Sequence, residues 1–331
     1  MNLKSQKRTF KLNDLEFIVM LLKMNYPLNL CLSLILNNVN KKIINTILKK
    51  LNEGEYIETI IKDYLKKDIR KIFIVFIEHL SFTNALELSL KLNEEKRKLK
   101  KLILDNSLYP LILFISSFIL FYLFIFFFSD NLLNIMDNLK LESSFFRNLF
   151  LIIKLILNFL LIALLLVLIL ISYLHKYKLI PSYKYLALKI SNNPLVKYES
   201  YRFINYYQIA LNSDLNTKDI IELFKNLKDD KLLSYISTKI DKNYLSGKNF
   251  IESMSLKILD PILLNYLKLS YQVKDNKKVL KDYLEFSKQN FIKMIKKITL
   301  YLKVIIYLFL ALLIYFMYYL MLLPMEVINQ I

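Results

Sequence analysis

Hydrophobic positions fall along this chain in two regimes. Three runs are apolar almost without interruption: Leu108 to Phe128 (LYPLILFISSFILFYLFIFFF), Leu149 to Leu174 (LFLIIKLILNFLLIALLLVLILISYL) and Thr299 to Leu323 (TLYLKVIIYLFLALLIYFMYYLMLL). Crossing about 30 Å of hydrocarbon takes roughly 20 mostly apolar helical residues, and no other window comes close. A buried core helix interrupts its apolar run with a polar face, which these lack, so they predict three membrane spans. Elsewhere apolar residues recur at three- and four-residue spacing with Lys and Glu opposite, the signature of amphipathic helices. In the first polar segment the pattern predicts helices over Leu12 to Met24, Leu28 to Asn37, Lys41 to Leu51, Tyr56 to Lys66, Ile69 to Ser81 and Asn84 to Asp105, separated by Asn, Gly or Pro. No strand pattern stands out. The expected fold class is an all-α membrane protein with two helical bundles of about six helices each. The expected divisions are a bundle over 1–107, spans over 108–128 and 149–174 with a short loop at 129–148, a bundle over 175–298, a span over 299–323 and a tail over 324–331.

Charge adds an orientation. The chain has 331 residues, 55% hydrophobic and 23% charged, with a formal net charge of +19. Before Leu108 there are 20 Lys and Arg against 12 Asp and Glu, and from His175 to Ile298 there are 23 against 12. The segment 129–148 carries only Lys140 and Arg147 as basic residues, and the tail carries none. Basic residues stay preferentially on the cytoplasmic side. The bias therefore predicts a multi-pass protein of a bacterial cytoplasmic membrane, with the N-terminus and both bundles cytoplasmic and the loop and C-terminus external. No apolar stretch lies near Met1, so no cleavable signal peptide is expected. The basic residues are spread over both bundles rather than gathered with aromatics into a groove, so direct nucleic-acid binding is not expected.

Composition excludes some chemistry. With two glycines in the whole chain, neither G-x-x-x-x-G-K-[ST] nor G-x-G-x-x-G can be written, and no nucleotide cofactor is expected. One cysteine, Cys31, and two histidines, His79 and His175, offer neither a disulfide framework nor a zinc cluster. No nucleophile, base and orienting acid fall into register, so the chain reads as a non-enzyme.

An internal repeat sets the organisation. Leu15 against Phe203 aligns LEFIVMLLKMN with FINYYQIALNS, and Gly54 then falls opposite Gly247 after a five-residue slip. Further on, Ala85-Leu86 faces Val279-Leu280, Leu90 faces Leu284, and Pro110 faces Val304 near the start of the third span. Offsets of 188 to 194 in an ordered series, each ending in a span, mark a duplication. Both glycines suit turns between helices, where a left-handed conformation costs them little.

On these residues the chain resembles the type II secretion F-domain family, the inner-membrane platforms of type IV pili, type II secretion and competence pseudopili. The family's small-glycine-x-proline-leucine turn resembles MNYPLNLCL at Met24 to Leu32 and, more distantly, LNSDLNTKDI. Its leucine-x-x-glycine turn resembles LNEG ending at Gly54 and YLSG ending at Gly247. Its tyrosine-proline opening the first span resembles Tyr109-Pro110, and its proline after the last span resembles Pro324. Departures are Asn25 and Ser213 where the family often has glycine, and IEHLSF and YQVKDN in place of a glycine-glutamate-x-x-glycine segment, with Glu78 alone keeping the acidic position. The resemblance covers nearly the whole chain. It implies two six-helix cytoplasmic domains and a role in coupling a cytoplasmic hexameric assembly ATPase to extraction of pilin-like subunits from the bilayer. The short N-terminal extension and the composition favour the competence or Gram-positive pseudopilus branch. Some members bind a metal in the first domain, but no ligands are assignable here. The implied partners are the ATPase, pseudopilins, lipid and further copies of the chain.

Within that frame a few residues stand out. Lys41, Lys42, Lys49 and Lys50 put basic charge on one helix of the first bundle, either a solvated face or a docking surface for an acidic ATPase. Lys154 and Asn158 interrupt the second span. Lys154 lies near enough to its outer end to snorkel, and Asn158, a turn deeper, calls for a hydrogen bond to a neighbouring span, from another copy of the chain or from a pilin. Lys303 is expected to snorkel inward. EEKRKLKK before the first span and KNFIKMIKKITLYLK before the third suit attraction to anionic lipid, or a lever carrying motor motion into the spans. The competing reading is an oligomeric small-molecule transporter, since internal repeats bracketing spans suit transporters.

Overall fold

The computed structural model describes residues 9–35, 41–138, 144–189, 193–213, 215–272 and 276–328. Among them the chain is all-helical, without strands. The helices are α1 (Leu12–Lys23), α2 (Leu28–Leu34), α3 (Lys41–Asn52), α4 (Ile57–Ile61), α5 (Lys67–Phe76), α6 (Phe82–Asn138), α7 (Ser144–Tyr177), α8 (Leu179–Lys189), α9 (Pro194–Leu211), α10 (Thr217–Asn226), α11 (Lys231–Leu245), α12 (Phe250–Met254), α13 (Pro261–Gln272) and α14 (Asn276–Ile328).

Local chemistry accounts for most boundaries. Asn193, Asn216, Asp230 and Asn249 cap α9, α10, α11 and α12 with a side-chain oxygen on a free backbone N–H, and Asn249 with Glu252 forms a full capping box. By contrast, Lys11, Pro27, Tyr56 and Lys66 precede α1, α2, α4 and α5 without a side-chain cap. Those helices hold through their apolar faces: Leu15, Ile18 and Leu21 of α1, Cys31 and Leu32 of α2, Ile60 and Ile61 of α4, and Ile69, Phe73 and Phe76 of α5 are buried, as are Ile43, Ile44 and Ile47 of α3. Full burial of one such side chain is worth about 1.5–3 kcal/mol.

Two compact units divide the chain. One comprises the described parts of Met1–Lys100 and Ile180–Phe291. The sequence reads these stretches as two bundles, and here they pack together, with α5 against α10. Lys71 donates to Asp229 at 2.6 Å, and Asn205 of α9 donates to Glu95 of α6 at 3.1 Å. Helix α9 is the most enclosed element, burying Phe203, Ile204, Tyr206 and Tyr207 together with Glu199, Ser200, Arg202 and Asn205.

The other unit comprises the described parts of Lys101–Leu179 and Ile292–Ile331. Its core joins Phe121, Ile125 and Met136 of α6, Phe150 and Leu157 of α7 and Leu313 of α14. Around that core the helices leave large apolar side chains exposed, among them Phe159 at 70%, Ile169 at 64% and Leu308 at 67%. Apolar surface on this scale marks contact with something other than water. Three helical stretches, Leu108–Asn138, Arg147–Leu174 and Lys278–Tyr319, are long and apolar enough to cross a membrane.

The boundaries differ most from the sequence reading in three places, beside smaller shifts such as α4, which ends at Ile61 and not at Lys66. The loop expected at 129–148 is helical through Asn138 and again from Ser144; Leu133 and Met136, three residues apart, turn onto the apolar core and carry the helix on. The tail expected at 324–331 is helical to Ile328. The helix expected over Asn84 to Asp105 and the first span form a single element, α6, of 57 residues with Pro110 inside it. A proline in a membrane helix is tolerated where neighbouring groups satisfy the freed carbonyl.

Candidate functional site

Four groups of residues carry the chemistry the sequence points to, and the structure places each. In α3 the apolar face of Ile43, Ile44 and Ile47 is buried, which turns Lys41, Lys42 and Lys49 outward, all exposed. Lys50 sits at the edge of that face and donates to Glu55 at 3.1 Å, a contact that holds its ammonium above the usual lysine range. Lys49 lies 3.7 Å from Glu53. The basic surface is therefore three outward lysines with a fourth turned back onto a local acid.

Gly54 creates that local acid's position. Its φ is +87°, its N–H bonds Leu51 O and the Glu55 N–H bonds Lys50 O, each at 3.0 Å. Gly247 has φ +86°, with its N–H on Tyr244 O at 3.0 Å and the Lys248 N–H on Asn243 O at 3.4 Å. Both are Schellman turns with glycine in the left-handed position. Asn25, which stands where glycine was anticipated, has φ +62° and repeats the pattern, with Asn25 N–H on Leu22 O and Tyr26 N–H on Leu21 O. Asparagine is among the few side chains that enter this region readily. Ser213 is not in that conformation.

Between α6 and α7 runs a ladder of polar pairs. Arg147 donates to Asp137 at 2.9 Å, Lys154 to Asp130 at 2.7 Å, and the Tyr122 hydroxyl to Asn158 Oδ1 at 3.1 Å. Asp130 and Asp137 are two turns apart on one helix, as Arg147 and Lys154 are on the other, so one face of each antiparallel helix presents the pairs in register. Lys154 also lies 5.4 Å from the Phe126 ring centroid. Lys154 is thus ion-paired to the neighbouring helix, and Asn158 accepts from Tyr122 of the same chain. Lys303 lies 5.9 Å from the Tyr109 ring.

Two charge clusters, each around a buried carboxylate, Glu199 in one and Glu87 in the other, escaped the sequence reading. Arg202 sits 2.7 Å from Glu199 and donates to Asp230 at 2.8 Å, with side-chain exposures of 10%, 5% and 25%. Burial pushes the Glu199 carboxyl up to about 7 against the pull of Arg202, and the Asp230 charge adds to the rise. Glu87 of α6 takes contacts from Lys23 at 2.6 Å and Lys91 at 2.8 Å. Burial raises its carboxyl, but hydrogen bonds from the two lysines outweigh that and hold it below the ordinary glutamate value. The i,i+3 spacing of Glu199 and Arg202 was visible in the sequence; that their helix is enclosed on nearly every side was not.

Cys31 is buried with its thiol against Tyr26 O, and burial raises its pKa. His79 is exposed in the turn after α5; the side chain of His175 lies outside the described residues. Among the described residues no three His, Cys, Asp or Glu side chains gather as metal ligands would. No family model matches the chain, and no curated protein matches it by sequence.

Proposed function

We propose that this chain is the membrane platform of a type IV pilus-like or type II secretion-like machine, most specifically a competence pseudopilus. In this reading the polar helical segments are cytoplasmic and receive the motion of an assembly ATPase, while the three long helices meet pilin-like subunits in the bilayer. One observation carries the reading. The order α1 to α6, a run of shorter helices whose third ends in a glycine Schellman turn and whose sixth is long enough to enter a membrane, recurs as α9 to α14. The same offsets align the two halves in sequence, which supports a duplicated bundle-plus-span.

Continuity of α6 and α14 suits a mechanical role. Each is a single helix carrying a basic stretch, Lys96 to Lys101 and Lys293 to Lys297, into its apolar length, and an unbroken helix transmits displacement along its axis. Coupling to a motor is needed because lifting a span of apolar residues out of lipid is opposed by about 0.8 kcal/mol per buried methylene. The outward face of Lys41, Lys42 and Lys49 is the proposed docking surface for an acidic ATPase. Further copies of the chain are expected around the same filament.

The second reading is an oligomeric small-molecule transporter, favoured by the Asp130–Lys154 pair within apolar helices, because ionisable groups there commonly mark a substrate or proton path. The test is deletion of the gene in its own host. Loss of filaments or of transformation, with pilin-like subunits still made and inserted, is the expected result. Normal filaments in the deletion strain remove the platform reading, and loss of solute uptake with filaments intact favours the transporter.

A further inference from the structure

Helix α8 opens the stretch expected as the second bundle, and its two faces are unequal. It starts at Leu179, five residues beyond the end of the second candidate span at Leu174. Five residues reach at most about 18 Å, so the first residue of α8 lies within that distance of the end of the span. Its inward face is fixed by Tyr183, which is fully buried and donates its hydroxyl to Ile258 O at 2.6 Å.

At 100° per residue the side opposite Tyr183 carries Pro181, Tyr185 and Leu188, flanked by Lys184 and Lys189. All five are exposed, Tyr185 at 60% and Leu188 at 54%. Lys189 lies 5.5 Å from the Tyr185 ring, and Lys176, just before α8, lies 5.0 Å from the Tyr177 ring. No acidic residue occurs from His175 to Lys189, while Lys176, Lys178, Lys184 and Lys189 all do. An outward apolar stripe edged by lysines, on a helix tied to a membrane span, has the composition of a helix lying in the lipid–water interface, where tyrosine is also enriched.

We propose that α8 is an interfacial foot that rests on anionic phospholipid, with Pro181, Tyr185 and Leu188 at the acyl boundary and the four lysines on the phosphates. Continuity with the span and a run of four lysines with no acidic residue among them in sequence select lipid over a protein occupant. Tyr183 ties α8 to Ile258, in the turn between α12 and α13. The proposal rests on the membrane reading of the long helices and not on the assembly role.

The test uses the full chain with Cys31→Ala, carrying an environment-sensitive fluorophore on Leu188→Cys or, separately, on Ile162→Cys within the second span. Each protein is placed in nanodiscs of phosphatidylcholine alone or mixed with phosphatidylglycerol. The Leu188 label is expected to be quenched by shallow lipid-attached nitroxide and protected from aqueous iodide in the anionic discs, with the equilibrium for surface contact falling about fivefold for each lysine changed to glutamine. Iodide quenching of the Leu188 label that is equal in both lipids overturns the proposal, as does protection from both quenchers, which means that protein covers the stripe. Lipid quenching at Ile162 in either case leaves the span reading intact; its absence removes that reading and the foot together.

Discussion

Gly54 and Gly247 are the two glycines of the chain, and both occupy the left-handed position of a helix-ending turn with open space where a Cβ would stand. The penalty of a side chain there is backbone strain alone, so Gly54→Ala and Gly247→Ala are each expected to cost about 1 kcal/mol, read as a lowered melting temperature in detergent. Asn25→Gly relieves the same strain at the third such turn and is expected to leave stability unchanged or slightly raised. The two glycine turns were legible in the sequence because a left-handed helix end favours glycine; at Asn25 the sequence showed only a departure from the family's glycine. The Glu199–Arg202–Asp230 cluster was not, since nothing in KYESYRF distinguishes a helix with a wet face from one enclosed on all sides. It carries a pH signature. Glu199 has a folded pKa of about 7 against an ordinary 4.5, so the folded state holds its proton more tightly. The contribution to stability is full below about 4.5 and is lost as pH climbs to 7. Glu199→Gln is expected to flatten that decline in melting temperature between pH 5 and 8. An unchanged slope would mean that another group produces it.

At the level of elements, the helical pattern was readable almost everywhere, and its failures have physical causes. The amphipathic helices α1, α3 and α5 follow apolar spacing that any window reveals. The helical stretch 129–138 did not, because SDNLLNIMDN is polar in composition and its two core contacts, Leu133 and Met136, count only once Phe150 and Ile125 are packed around them. The facing ladder of Asp137–Arg147, Asp130–Lys154 and Tyr122–Asn158 was half legible: Lys154 and Asn158 were conspicuous as interruptions, while their acidic and phenolic partners lay in another helix. The ladder predicts a charge-swap result. Asp130→Lys or Lys154→Asp alone is expected to lower the recovery of monodisperse protein from membranes, because each puts like charges face to face. The double swap is expected to restore most of it. A double variant no better than the singles would show that the pair contributes no coupling.

For the whole molecule, the sequence divided the polar residues into two bundles separated by 67 positions of span and loop, and could not indicate that the two would pack as one compact unit. The contacts that join them, Lys71 to Asp229 and Asn205 to Glu95, are 158 and 110 residues apart, beyond the reach of any local pattern. Packing of this kind requires both segments to lie on the same side of the membrane, and an even number of crossings between them satisfies that requirement. Everything proposed about motor coupling depends on which side that is. The direct measurement is labelling of single cysteines, in a Cys31→Ala background, by a membrane-impermeant maleimide applied to intact and then to permeabilised cells. Cysteines replacing Lys42 and Lys228 are expected to label only after permeabilisation, and one replacing Asn138 to label in both. Labelling at Lys42 or Lys228 in intact cells would contradict the account.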